Sequence, residues 1–456
     1  MKAKREITLF EYDCLVSEDV VHGQSTTSHI QAISGSSYQY LKQLCLSSEN
    51  ESNLLQLRHR SGMEVLQVQN YAGVIFTPDK TQIEVLPKIG KGFNGESNES
   101  DCVRARQTLL TMLRALKGFS HIQTSNANIA LQRMPLLEVF IGQFLQSVNT
   151  LVKQGLRSDY VRREDNLRFL KGKLNVGKQV RHNFVNKHKF YCEYDEFLLD
   201  RPVNRLIHSA LSKVKNYARA AANQKLLQEL EFVFREVPES RNYKVDFSKV
   251  KLDRGMGYYQ TPLDWCQLIL EGFSPQTMKG TKNAASLLFP MERVFEDYVA
   301  TVLGSQICVD YQLKTQVKKK SLVEHNSQNW FRLKPDLVIE SRQSSEAVCV
   351  LDTKWKLLDS SKCNGSDKYG LSQADFYQMF AYGHKYLDGD GELFLIYPAH
   401  DGFMKAIQYS FDFDSGLKLW VVPFQVGYGT ESKVIWPEAH DSIVRHKNLF
   451  TLDELR

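Results

Sequence analysis

Two carboxylates and an amine fall within one short stretch, RLKPDLVIESRQSSEAVCVLDTKWK, at residues 332–356. Leu337-Val338-Ile339 and Val348-Cys349-Val350-Leu351 are apolar, β-prone runs, and residues 340–346 between them have turn composition. A hairpin folded about Ser344 sets Asp336 opposite Asp352, and strand alternation points Lys354 the same way as Asp352. Two hard oxygen ligands beside one cation suit Mg²⁺-assisted phosphodiester cleavage. The carboxylates hold the ion, the ion polarises the phosphate and activates water, and the lysine steadies developing charge or helps deprotonate water.

Neighbouring segments offer additions to this triad. Glu292 and Glu296 lie four apart and so share a helical face; Glu296 follows Phe295 at the edge of an apolar stripe and can turn inward to the ion, whereas Glu292 reads as a surface acid. Gln378 and Tyr382 share another helical face, either positioning a water or phosphate or forming an ordinary half-buried polar pair. Lys318-Lys319-Lys320 reads first as a solvated charge run and, as the alternative, as a contact to the DNA backbone.

The elements that must carry these residues fall into three blocks. Residues 1–100 read as a β-rich domain, from Ile7–Tyr12 to the Pro78-Asp79-Lys80 hairpin turn, with GFNGESNESD (92–101) as a surface loop. Residues 101–283 read as mainly helical, with helices at 103–116, 136–156 and from Pro202 behind Asp200 as N-cap. A basic β segment, 160–195, interrupts them. Nine Lys/Arg between Arg162 and Lys189 face two acids there, interleaved with Tyr160, Phe169, Phe184 and Phe190. That pattern suits either a phosphate-tracking surface or a solvated face. Residues 284–456 give helix, strand, carboxylate hairpin, helix and strand, a mixed sheet flanked by helices. The fold class is mixed α+β and multidomain.

Composition narrows the field. The 456 residues, 42% hydrophobic and 24% charged with net charge +6, describe an ordinary globular chain. No run of about 18 apolar residues occurs, so no membrane span is expected, and the basic N-terminus lacks the apolar core of a secretory signal. Eight scattered cysteines without a C-x-x-C pair argue against zinc and disulfide frameworks and fit a reducing cytoplasmic setting. There is no G-x-x-x-x-G-K-[ST], and Gly255-Met256-Gly257 and Gly427-Tyr428-Gly429 lack the rest of a dinucleotide fingerprint. No G-x-S-x-G supports serine hydrolysis.

Pro335-Asp336 and Asp352-Thr353-Lys354, with Glu296 before and Gln378 after, resemble the PD-(D/E)xK nuclease superfamily. NYAGVIFTPDKTQIEVLPKIG (70–90), YVRREDNLRFLKGKLNVGKQVRHNFVNKHKFYCEYDEFLLDRPVNRLI (160–207) and DFYQMFAY (375–382) resemble the McrC family, the nuclease subunits of McrBC-type modification-dependent restriction systems. The resemblance implies a C-terminal PD-(D/E)xK domain that cuts double-stranded DNA with Mg²⁺. It also implies an N-terminal half that docks onto and stimulates an McrB-like AAA+ GTPase, a hexameric ring supplied in trans, which fits the missing P-loop. By motif, Asp336 and Asp352 become metal ligands, with Thr353 and Glu296 as further candidates, Lys354 the catalytic lysine and Gln378 a supporting catalytic residue. Two other readings stay open: a module that only assembles and activates an NTPase ring, and a stand-alone repair exonuclease of the same superfamily.

Overall fold

The computed structural model describes residues 6–20, 29–46, 54–60, 62–91, 98–115, 134–270, 286–413, 416–427, 431–437 and 449–450. Strand-prone runs near the N-terminus build two four-stranded sheets. One has the order Glu6–Phe10, Gln82–Leu86, Tyr71–Phe76, Ser286–Pro290; the other is Ile30–Ile33, Cys14–Ser17, Met63–Val68, Leu55–Arg60. The Pro78-Asp79-Lys80 turn closes the Tyr71–Phe76/Gln82–Leu86 hairpin as its residues predict. Asp79 Oδ1 accepts the Thr81 N–H at 3.1 Å, and Lys80 takes a positive φ of 68°. Leu9, Leu15, Leu66, Val85 and Leu288 share one core with Tyr38 and Leu41 of helix Gly35–Leu46, an element the β-rich reading lacked.

Ser286–Pro290 belongs by sequence to the C-terminal block, yet it pairs antiparallel with Tyr71–Phe76. Gly73 permits the approach: its φ is +137°, and a Cβ there would stand 1.9 Å from the Leu287 carbonyl oxygen. The compact units therefore follow strand pairing, not three consecutive blocks. One unit is Met1–Met134 with Pro275–Arg456, and the other is Pro135–Ser274. Helix Glu99–Leu113, opened by a capping box between Asn98 and Asp101, falls in the first unit and begins inside the stretch read as a loop; residues 92–97 of that stretch lie outside the described residues.

The second unit combines helices Leu136–Gln154, Pro202–Val214, Ala221–Val233 and Gln260–Leu270 with a three-stranded sheet ordered Asp159–Leu167, Phe190–Leu198, Lys173–Leu174. Two local expectations need correction. Pro202 occupies the first helical turn behind Arg201 as N-cap, so Asp200 does not cap; its Oδ1 accepts from Arg205 Nη1 at 2.7 Å instead. The basic segment is not all β, because Val176–Asn183 is a helix capped by Asn175. Its charge is also partly neutralised. Arg162 pairs with Glu193, Lys178 with Glu164, and Arg163 and Lys171 each reach Glu196 at 3.3 Å.

The rest of the first unit is a seven-stranded mixed sheet in the order Tyr311–Thr315, Leu337–Ser341, Ala347–Thr353, Gly391–Pro398, Leu417–Gln425, Phe411–Asp412, with Lys433–Val434 also on Leu417–Gln425. The first three strands are antiparallel; Ala347–Thr353, Gly391–Pro398 and Leu417–Gln425 run parallel. Helices Met291–Gln306 and Gln373–Tyr386 both pack against Ala347–Thr353. Among the described residues no helix is long and apolar enough to cross a membrane.

Candidate functional site

The carboxylate hairpin forms in the register its sequence dictates. Leu337 faces Leu351, Val338 faces Val350 and Ile339 faces Cys349; a bulge between Ile339 and Glu340 is confined to the turn side. One step further along the same register brings Asp336 opposite Asp352. Alternation then sorts the side chains between two helices. Val350, on the face of Asp352 and Lys354, packs with Met379 and Tyr382 of helix Gln373–Tyr386. On the other face, the Trp355 ring lies 5.3 Å from the Phe295 ring of helix Met291–Gln306, which brings Glu296 to the hairpin.

The polar contacts are specific. Asp336 Oδ2 accepts two hydrogen bonds from Thr353, from its N–H at 2.9 Å and its hydroxyl at 2.8 Å. Lys354 Nζ stands 2.5 Å from Asp352 Oδ2 and donates to Gln378 Oε1 at 3.0 Å. Gln378 Nε2 in turn donates to the Tyr382 hydroxyl at 2.6 Å, so Gln378 and Tyr382 form the shared helical face read from their spacing. Glu296 accepts from the Gln316 amide, and the Gln316 N–H donates to the Asp336 carbonyl at 2.9 Å. Glu292 is exposed and accepts from Asn70 Nδ2 at 2.9 Å, away from the triad.

Electrostatics distinguishes these carboxylates from surface acids. Asp352 is 1% exposed. Burial, and then the charge of Asp336, push its carboxyl well above the usual range, against the pull of Lys354. Burial and the same Asp336 charge push Glu296 up to about 7, with Asp352 adding to the effect. For Lys354, burial alone favours the neutral amine, but Asp352, Asp375 and Asp336 outweigh it and raise its pKa. Asp352 Oδ2 is fully buried, and the Lys354 ammonium 2.5 Å away is its partner. Three mutually repelling carboxyls, two of them with raised pKa values, offer hard oxygen donors of the kind a divalent cation takes. Among the described residues, no three or more His, Cys, Asp and Glu side chains stand close enough together to hold a metal ion as they are arranged.

Three supporting residues escaped the sequence reading. Asp375 accepts from Lys356 Nζ at 2.8 Å and lies 4.0 Å from Lys354 Nζ. Gln316 ties Glu296 to the Asp336 backbone. Glu11, from the N-terminal sheet, accepts the Trp355 indole N–H at 2.9 and 3.0 Å and the Lys88 N–H at 2.9 Å, while Lys88 Nζ donates to the Trp355 carbonyl at 2.7 Å. Only for Asp375 was there a local signal, its place in the DFYQMFAY helix.

The family described as McrBC 5-methylcytosine restriction system component matches residues 66–398, more than half of the chain. The chain belongs to this family. A relative, the type IV methyl-directed restriction enzyme EcoKMcrBC of Escherichia coli (strain K12), is 23% identical over 323 residues, 68% of this chain and 87% of the relative. A solved structure, a refined half-complex from a tetradecameric assembly of Thermococcus gammatolerans McrB AAA+ hexamers with bound McrC, matches with a TM-score of 0.65. That match is 18% identical and spans 92% of this chain and 95% of the other, a likeness of fold.

Proposed function

We propose that this chain is the DNA endonuclease subunit of a GTP-driven, modification-dependent restriction complex, with the C-terminal sheet as a PD-(D/E)xK nuclease. The observation that carries the reading is the convergence of Asp336, Asp352 and Lys354 on one spot, where the Asp336 charge helps raise the Asp352 carboxyl. In this reading Asp336, Asp352 and Glu296 hold Mg²⁺, with Thr353 beside them. A bound cation of this kind supplies Lewis-acid polarisation of the scissile phosphate and a lower pKa for water. Thr353 fixes the Asp336 carboxylate through two hydrogen bonds. Lys354, kept protonated by its acidic neighbours, donates to a non-bridging phosphate oxygen as negative charge grows there. Gln378 orients the Lys354 ammonium, and Tyr382 orients Gln378.

The partner is an McrB-like AAA+ GTPase ring acting in trans. Family membership supports this, as does the fold shared with the Thermococcus gammatolerans McrC bound to McrB AAA+ hexamers. The test is reconstitution: the chain, an McrB-like GTPase, GTP, Mg²⁺ and methylated DNA. Cleavage that needs all components and disappears in Asp352→Asn, with GTPase stimulation retained, supports the reading. Cutting that persists in Asp352→Asn refutes it. GTPase stimulation without any cleavage by the wild type leaves only the activating-module reading standing.

A further inference from the structure

The catalytic arrangement does not use the segment between Lys318 and Pro335. Ser321–His325 and Gln328–Arg332 form a two-stranded antiparallel ribbon of their own. Every residue of the two strands except Ser321 is exposed. Asn326 and Ser327 both have positive φ, 49° and 58°, the left-handed pair that a tight hairpin turn requires. A bare two-stranded ribbon is marginal in water, and apolar residues on it need a reason. Yet Phe331 is 70% exposed and Trp330 45%, with Leu322 and Val323 beside them. Phe331 also takes φ +55°, a conformation that costs a bulky residue energy.

The ribbon's root is held firmly and its position is informative. Leu333 N–H donates to the Lys320 carbonyl at 3.0 Å, and the Tyr386 hydroxyl donates to the Val317 carbonyl at 3.2 Å. Asp336 lies four residues beyond the end of the second strand, and Lys334 is near enough to Glu296 to oppose the upward push on its carboxyl. Lys318, Lys320, Arg332 and Lys334 therefore surround the root of an aromatic ribbon standing beside the candidate metal ligands. Lys319 and Lys314 are held by the buried Glu340, and the tip carries one acid, Glu324. Flat apolar rings ringed by cations match a polyanion that also presents stacking faces. A purely apolar protein partner would have no use for the cations.

We propose that the Ser321–Arg332 ribbon is a DNA wedge. Trp330 and Phe331 stack on bases beside the scissile phosphate, while Lys318, Lys320, Arg332 and Lys334 hold the flanking phosphates. This rests on the nuclease reading for its substrate, and the test separates the two. Full-length wild type, Trp330→Ala/Phe331→Ala and Lys318→Ala/Lys320→Ala are compared with a fluorescein-labelled DNA duplex, in Ca²⁺ for binding and in Mg²⁺ with the GTPase partner and GTP for cleavage. The aromatic variant is expected to bind about tenfold or more weakly and to cut correspondingly slower. The lysine variant is expected to lower the slope of log affinity against log salt by about two. Melting temperature, GTPase stimulation and oligomeric state should match wild type, since the changed side chains are exposed. Wild-type affinity and cleavage in the aromatic variant would overturn the wedge and leave the nuclease reading intact. A loss of self-association or of GTPase binding, with DNA affinity unchanged, would also overturn it in favour of a protein contact. Ribbon-dependent DNA binding without any cleavage would sustain the wedge and defeat the nuclease reading.

Discussion

Glu296→Gln should make the metal-free protein more stable at alkaline pH. The Glu296 carboxyl moves from an ordinary 4.5 to about 7 through burial and the charge of Asp336. Its native state thus holds a proton that the unfolded chain has released over the window between those values. The unfolded state binds fewer protons there, so stability falls as pH rises from about 4.5 to 7, and the full cost persists above 7. At ~1.4 kcal/mol per unit the shift corresponds to roughly 3 kcal/mol, and the half-buried position discounts this to roughly 1–2 kcal/mol. Glutamine removes the charge and keeps the shape. Urea denaturation in EDTA at pH 5 to 8.5 should show wild type and variant nearly equal at the acid end and the variant ahead by that amount at the alkaline end. Adding Mg²⁺ should reverse the order, because a cation stabilises the ionised site of the wild type more. A variant that is no more stable at pH 8.5, or a gap that does not change with pH, would refute this electrostatic account.

Three further substitutions probe the surroundings. Lys354→Ala should lower the reconstituted cleavage rate by roughly 10²–10³, with Lys354→Arg unable to restore it, since the amine has to reach Asp352 and Gln378 at the same time. Gln378→Ala removes one acceptor from Lys354 and should slow single-turnover cleavage about tenfold while leaving DNA affinity unchanged. Glu11→Ala strands the Trp355 indole N–H and the Lys88 N–H in a buried setting and should cost about 2–4 kcal/mol in urea unfolding.

The heart of the site was legible because it is local. Asp336 and Asp352 belong to one hairpin, where period-two alternation and a polar turn fix which residues oppose, and the bulge falls beyond the ladder pairs nearest the site. Glu296, Gln378 and Tyr382 were legible as helical i, i+4 neighbours. What joins distant segments left no local trace. Ser286–Pro290 completes a sheet begun near the N-terminus, and Glu11 reaches Trp355 across most of the chain. Asp200 misled because a proline at the first helical position shifts the cap onto Arg201. The aromatic ribbon went unread because alternation signals a strand only where one face is buried, and here neither face is.

The central claim is that the acids of one hairpin grip a divalent cation. Titrating the full chain with Mn²⁺, with the free ion counted by electron paramagnetic resonance, tests it without a partner, nucleotide or DNA. Wild type should take up Mn²⁺ saturably, Mg²⁺ should compete, and Asp336→Asn and Asp352→Asn should each abolish the uptake while remaining folded. Undiminished Mn²⁺ binding in the Asp336→Asn/Asp352→Asn double variant would contradict the account.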